Sequence, residues 1–207
     1  MHLFEVFGRR LQSEIAFPEL VETTTGAPDW TLRLRDELAR GPDDVRIGSI
    51  DLGGIEVRLF RSPDGYRFES DETGAFHIRD GGRSVEWAPA PGADPGLARI
   101  DLLNRVLPLA LHASGTLCLH GSGVVLPAGA ICFLAPKLHG KSTLAMAFAS
   151  RGAPLLSDDT LAFDLVGTPR VRPGVHSLRL RADSAERFAP RAALRGVGGE
   201  GKTVVAP

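Results

Sequence analysis

The chain has 207 residues, enough for one good hydrophobic core or for a core with a small appended domain. Its 24 basic and 25 acidic side chains leave a net charge of −1, which gives no electrostatic footprint for a nucleic-acid partner. No apolar run reaches the roughly eighteen residues of a membrane span, and the alternating, charged start MHLFEVFGRRLQSEI is unlike a signal peptide, so no membrane partner and a cytoplasmic location are expected.

Residues 1–93 predict a β-rich N-terminal domain. Leu3 to Phe7, Leu11 to Ile15 and Trp30 to Leu34 are short strand candidates. Ile55, Val57 and Leu59 alternate with Glu56 and Arg58, and Pro63-Asp64-Gly65 turns the chain into Tyr66-Arg67-Phe68. The pattern repeats around Phe76 and Ile78, then around Val85 and Trp87, which predicts an antiparallel meander with a solvated charged face. Ala88 to Ala93 is a proline-rich linker. Residues 94–115 predict a connecting helix with Asp94 as N-cap, Pro95 at the first helical position and an apolar stripe from Leu97 to Leu111, kinked or shortened at Pro108 and closed by Gly115.

Residues 116–207 predict an α/β core. Thr116 to His120 and Val124 to Leu126 are strands on either side of Gly121-Ser122-Gly123, and Ile131 to Leu134 is read as a buried strand of a parallel sheet. Both cysteines, Cys118 and Cys132, fall in apolar strand runs and read as small buried hydrophobes. After Ile131 to Leu134 comes the loop Ala135-Pro136-Lys137-Leu138-His139-Gly140-Lys141-Ser142, then a helix from Thr143 with Leu144, Ala147 and Phe148 on one face and Gly152 at its end. Leu155-Leu156-Ser157 forms a further strand that runs into Asp158 and Asp159, and the two strand ends are expected to open on the same edge of the sheet.

Binding a phosphate requires N–H groups pointing into a concave loop, a helix N-terminus behind them, a lysine for the outer phosphates and a hydroxyl for magnesium. Gly140-Lys141-Ser142 at a strand-to-helix turn supplies the last of those parts. A carboxylate at the next strand end can complete a metal shell, and a second can accept the proton of an attacking hydroxyl if the backbone bends there. The stretch Gly196 to Thr203 spells GxxxxGK[ST] without a mismatch, but no apolar strand precedes it and no helix follows, so it reads as a mobile glycine loop. Arg179 and Arg181, alternating with leucine, are candidates for a phosphate clamp, and Ala182 to Arg187 for a short helix.

These residues resemble a known family. His120-Gly121, the loop through Gly140-Lys141-Ser142-Thr143, Arg151-Gly152 and Ser157-Asp158-Asp159 resemble the catalytic domain of HPr serine kinase/phosphorylase, whose P-loop core is of the phosphoenolpyruvate carboxykinase type. Residues 7–20, FGRRLQSEIAFPEL, resemble a divergent branch found beside ribosomal-peptide clusters, lasso peptides among them. The resemblance implies an ATP-dependent kinase that uses Mg²⁺ and phosphorylates a serine hydroxyl of a peptide or protein partner, such as a lasso precursor peptide. Carried over by position, it implies a nucleotide-binding loop from Ala135 to Thr143, with Lys141 on the phosphates and Ser142 and Asp159 at the metal. Asp158 is then the acid/base at the acceptor, with Lys141 and His120 beside it in the catalytic set, and Lys202 matches a late basic residue. The family loop runs GxSGxGKS where this chain has APKLHGKS, and the chain ends earlier than that branch does, so its final strands are expected to be missing. A catalytically inactive nucleotide- or peptide-binding module is the alternative, a small-molecule kinase is a further one, and a homo-oligomer is left open.

Overall fold

The computed structural model describes residues 1–175, 178–181, 184–186, 194–198 and 202–205. Helix and sheet are mixed, with strand predominating. The chain divides into two compact units, one of residues 1–5 and 9–116, the other of residues 6–8 and 117–207.

The first unit contains β1 (His2–Val6), β2 (Arg9–Ser13), β3 (Val21–Glu22), β4 (Trp30–Leu34), β5 (Val45–Asp51), β6 (Glu56–Ser62), β7 (Gly65–Ser70), β8 (Gly74–Arg79) and β9 (Ser84–Ala88). They form one nine-stranded sheet in the order β3-β1-β2-β4-β9-β8-β7-β6-β5. The predicted meander, β6 to β9, is antiparallel throughout, and the unpredicted β5 extends it in the same sense. The other side departs from the expectation: β4 lies parallel to both β2 and β9, because after Leu34 the chain crosses to the far edge at β5 and works back strand by strand until β9 lies beside β4. β5 carries no alternation of burial, every residue being exposed, which is why a pattern of apolar and polar positions does not reveal it.

One face of this sheet is apolar. Trp30, Leu32, Phe76, Ile78 and Val85 are buried, and Trp87 stacks on Phe76 with ring centroids 5.7 Å apart. The helical segment follows as α1 (Pro95–Asp101), a π turn (Leu102–Val106) and α2 (Leu107–Ala113). Asp94 caps it, its Oδ1 accepting from the N–H groups of Gly96 and Leu97. Pro108 does not break the helix. The N–H of Leu107 reaches Leu102 O, five residues back, and the proline falls at the start of α2 where its missing donor is tolerated. Buried Asp101 is satisfied by the Thr73 hydroxyl at 2.7 Å and by Arg105.

The opposite face was expected to be solvated, and in part it is not. Arg67, Glu69 and His77 are buried on it. The irregular segment 35–44 lies over these residues, with Leu38 O and Ala39 O accepting from the Arg67 guanidinium and Arg40 stacked 4.3 Å from the Phe60 ring centre. Glu69 receives Arg67 at 2.6 Å, Arg40 at 2.6 Å and Arg58 at 3.3 Å. Alternation in the sequence showed where the charges point, but not that a strap of chain would cover them.

The second unit is built on β10 (Leu117–Leu126), one ten-residue strand rather than two short ones. Gly121 and Gly123 do not make a turn. A Cβ at Gly121 would stand 2.7 Å from both Leu134 and Leu161 side chains, so glycine lets neighbouring strands close on this point. β11 (Gly129–Leu134), β12 (Leu155–Ser157) and β13 (Thr160–Asp164) all pair antiparallel with β10, and β14 (Arg170–Arg172) pairs antiparallel with β13. The parallel sheet expected for Ile131 to Leu134 is therefore corrected, and β11 is largely exposed rather than buried. Because β11 and β12 both run against β10, they still end on one edge: Leu134 lies opposite Gly121, and Ser157 opposite Gly123.

α3 (Lys141–Ala149) packs Ala145 and Met146 into a cluster with Val124, Leu178 and Leu180, and Phe148 meets Phe133 at 5.7 Å. Leu144, expected on the buried face, is exposed. Gly152 follows the helix with φ +93, as its position predicted. The remaining strands β15 (Leu178–Arg181), β16 (Leu194–Gly198) and β17 (Lys202–Val205) form a three-stranded antiparallel sheet. Of the GVGGEGKT stretch, Gly196 to Gly198 lie in β16 and Lys202 and Thr203 in β17, so these residues are paired in strands rather than in the expected glycine loop, while residues 199–201 lie outside the described residues. The side chains of Arg179, Arg181 and Lys202 lie outside the described residues, as does the predicted helix except for Ser184 to Glu186.

Candidate phosphate-binding site

The site lies within the second unit. Between β11 and α3 the loop turns tightly: His139 N–H reaches Pro136 O at 3.4 Å, and the His139 ring nitrogen Nδ1 lies 3.0 Å from Lys137 O. Leu138 and Gly140 both take left-handed backbone, φ +71 and +82. For leucine this costs about 1–2 kcal/mol, so the fold imposes on Leu138 a shape that glycine would adopt freely. At Gly140 the glycine serves φ rather than close packing, since a Cβ there would meet nothing within 4 Å. The first rung of α3 is Leu144 N–H to Gly140 O at 2.8 Å. The N–H groups of Lys141, Ser142 and Thr143 precede that rung, at the positive end of the helix.

Lys141 is 7% exposed. Its Nζ folds back over the loop and donates to Ala135 O at 2.9 Å and Pro136 O at 3.0 Å. Ser142 points at the neighbouring strand end, where its hydroxyl donates to Asp158 Oδ1 at 2.9 Å. Thr143 turns elsewhere, its Oγ1 lying 3.1 Å from the Ser184 hydroxyl. Lys137, Leu138 and His139 are exposed, Leu138 by 70%.

The two aspartates diverge because the backbone bends between them. Asp159 has φ +70, and Thr160 N–H returns to Asp158 O at 2.8 Å. Buried Ser157 closes the turn by donating from its hydroxyl to Thr160 O at 2.6 Å. Asp158 is buried beneath the loop, whereas Asp159 faces His120: His120 Nδ1 lies 2.9 Å from Asp159 O and 3.5 Å from its Oδ1. Gly121 N–H also donates to Asp159 O, at 3.3 Å.

Of the residues singled out from the sequence, the structure groups Lys141, Ser142 and Asp158 around the loop and sets His120 with Asp159 beside it. It does not bring Ser142 to Asp159. The residue that sequence reading passed over is Ser122. Fully buried on β10, its hydroxyl donates to Asp158 Oδ1 at 2.5 Å and lies 3.5 Å from Ser142 Oγ. A lone serine between two glycines on an apolar strand was the available signal. Cys132 on β11 is set apart from this chemistry, because burial pushes its thiol up and keeps it protonated.

Among the described residues no group of three or more His, Cys, Asp or Glu is placed to hold a metal, and no helix is long and apolar enough to cross a membrane. No family model, curated protein or solved structure matches the chain.

Proposed function

We propose that the second unit is a P-loop core of the HPr-kinase and phosphoenolpyruvate-carboxykinase type, and that the protein is an ATP-dependent kinase acting on a serine hydroxyl of a peptide or protein. One observation carries the reading: a lysine, a serine and an aspartate from two separate chain segments converge at the start of a helix whose preceding glycine leaves open space. A glycine-lysine turn serving only as a connection does not need its serine aimed at a buried acid on another strand.

The donor set suits magnesium. This ion keeps several waters and is held by one or two carboxylates together with substrate phosphates, so a site with one serine and one aspartate fits it, while a dedicated cage of three acids is not required. Lys141 and the N–H groups at the start of α3 would hold the phosphate oxygens, and Ser142 with Asp158 would hold the metal. ATP would supply the phosphoryl group, and magnesium the positive charge that its oxygens need. Asp159, backed by His120, would take the proton of the acceptor hydroxyl as that oxygen bonds to phosphorus and ADP leaves. The resemblance in sequence implied the two aspartates in the opposite roles. The Ser142–Asp158 hydrogen bond favours Asp158 at the metal and Asp159 at the acceptor.

The resemblance to the branch near ribosomal-peptide clusters makes a lasso precursor peptide the first acceptor to try. Incubation with γ-labelled ATP, magnesium and a panel of serine-containing precursor peptides is expected to label a peptide. Magnesium-dependent ATP binding without label on any peptide or protein would leave the second reading, an inactive nucleotide- or peptide-binding module. The strained Leu138 in the loop is the observation that favours that reading.

A further inference from the structure

Three consecutive residues of β10 hold the acid pair: His120 through its ring and Gly121 through its N–H grip Asp159 O, and Ser122 through its hydroxyl grips Asp158. We infer that Ser122 is a positioning residue of the metal site, the donor that fixes Asp158 so that Ser142 can present its oxygen outward. This role rests on the phosphate-binding reading of the loop.

The geometry requires a fixed donor there. Ser142 Oγ and Ser122 Oγ both donate to the same oxygen, Asp158 Oδ1, at 2.9 and 2.5 Å. A serine hydroxyl that gives its proton to a carboxylate keeps its oxygen lone pairs free to accept from another partner, a cation included. Ser142 lies on the first turn of α3 and Asp158 just beyond the end of β12, so their alignment depends on something that ties the carboxylate to the sheet. Ser122 is completely buried in the middle of β10, where its hydroxyl has no water to turn to. Pairing brings the strand close: Gly123 lies opposite Ser157, the residue before Asp158, and the register of β10 with β12 shifts between Gly123 and Val124. Groups that orient a metal ligand without touching the metal typically govern affinity for it by on the order of 10- to 100-fold.

The test separates metal binding from nucleotide binding and from folding. Binding of ADP is measured calorimetrically on the whole chain in excess magnesium and again in EDTA, for the natural protein, Ser122→Ala and Ser122→Cys, with thermal unfolding run alongside. The cysteine variant nearly matches serine in shape and keeps the space filled while replacing a strong donor by a weak one. The expected result is that both variants lose at least about tenfold of the magnesium-dependent affinity while ADP binding in EDTA is unchanged. If Ser122→Ala fails to fold, Ser122→Cys gives the answer alone. Magnesium-dependent affinity equal to the natural protein's, or an equal loss with and without magnesium, overturns the role of Ser122 and leaves the phosphate site standing. Absence of ADP binding to the natural protein overturns both.

Discussion

Arg67 in the first unit and Lys141 in the second are both buried cations that donate to two backbone carbonyls, but among the described residues only Arg67 also meets a carboxylate. Arg67 is 4% exposed and meets the carboxylate of Glu69, which also receives Arg40 and Arg58. Lys141 is 7% exposed, and among the described residues its ammonium donates to two loop carbonyls. The two carbonyl dipoles take two of the ammonium's three hydrogens and leave its charge in place. A buried charge without a countercharge costs several kcal/mol, and a fold that keeps one at an open helix start retains an attraction for anions that the arginine cluster has already spent internally. Charge alone therefore does not mark a site; charge left unneutralised beside open space does.

The largest expected effect sharpens the second half of that comparison. Replacing Asp158 by Asn is expected to lower phosphate transfer on the order of a thousandfold, the several kcal/mol that metal-borne charge supplies, together with loss of magnesium-dependent binding. Asp159→Asn is expected to lower transfer on the order of a hundredfold with nucleotide binding retained. If Asp159→Asn removes magnesium-dependent binding and Asp158→Asn does not, the roles of the two acids are reversed.

The first half is broken by Arg67→Ala, which leaves Glu69 buried beneath segment 35–44 with part of its compensation gone. A loss of about 3 kcal/mol of stability in urea unfolding is expected, with nucleotide binding by the second unit unaltered. Loss of nucleotide binding at undiminished stability would show that this cluster serves the site rather than the fold.

Acid separates the units more gently. Burial pushes the Glu69 carboxyl up, but hydrogen bonds and charge from Arg40 and Arg67 outweigh it and hold it below the usual glutamate range. Its contribution to stability is therefore complete above about pH 4.3 and is lost as pH falls below that toward its depressed folded value. His77 is lowered by burial and by the adjacent Arg79 charge; Arg79 Nε donates to its Nδ1 at 3.1 Å, so the neutral ring presents Nε2–H to Asp64. The folded state resists protonating it, so stability begins to fall as pH drops below about 6.5. Unfolding free energies from pH 8 to 3 are expected to decline in these two windows, and His77→Gln is expected to remove the upper one. An unchanged upper window in His77→Gln would contradict this source.

The smallest effect concerns the loop. Leu138→Gly relieves left-handed strain of about 1–2 kcal/mol, offset by roughly 0.5–1 kcal/mol of added chain freedom, so a net gain of at most about 1.5 kcal/mol in stability is expected by thermal unfolding. A loss would mean that the leucine side chain is held by packing.

Much of this was readable from residues because it depends on local chemistry. Asp94 with Pro95 marked a helix start, Trp30 to Leu34 marked a strand to the residue, and Gly140-Lys141-Ser142 after an apolar run marked the turn into α3. What was not readable depends on pairing across distance. Parallel placement of β4 between β2 and β9 leaves no trace in the alternation of any one strand. The turn Pro127-Ala128-Gly129 marked the hairpin of β10 and β11, but the apolar run Ile131 to Leu134 suits either a parallel or an antiparallel neighbour and misled the reading of the sheet. Which aspartate meets Ser142 is set by the φ of Asp159, and nothing in the letters SDD fixes that angle.

The central claim is that the oxygens of a polyphosphate settle at the start of α3, held by Lys141. Isothermal titration of the whole chain with ATP in saturating magnesium is expected to give saturable heat that disappears in Lys141→Ala at unchanged folding. No heat from any nucleoside triphosphate, or binding that survives Lys141→Ala undiminished, would contradict it.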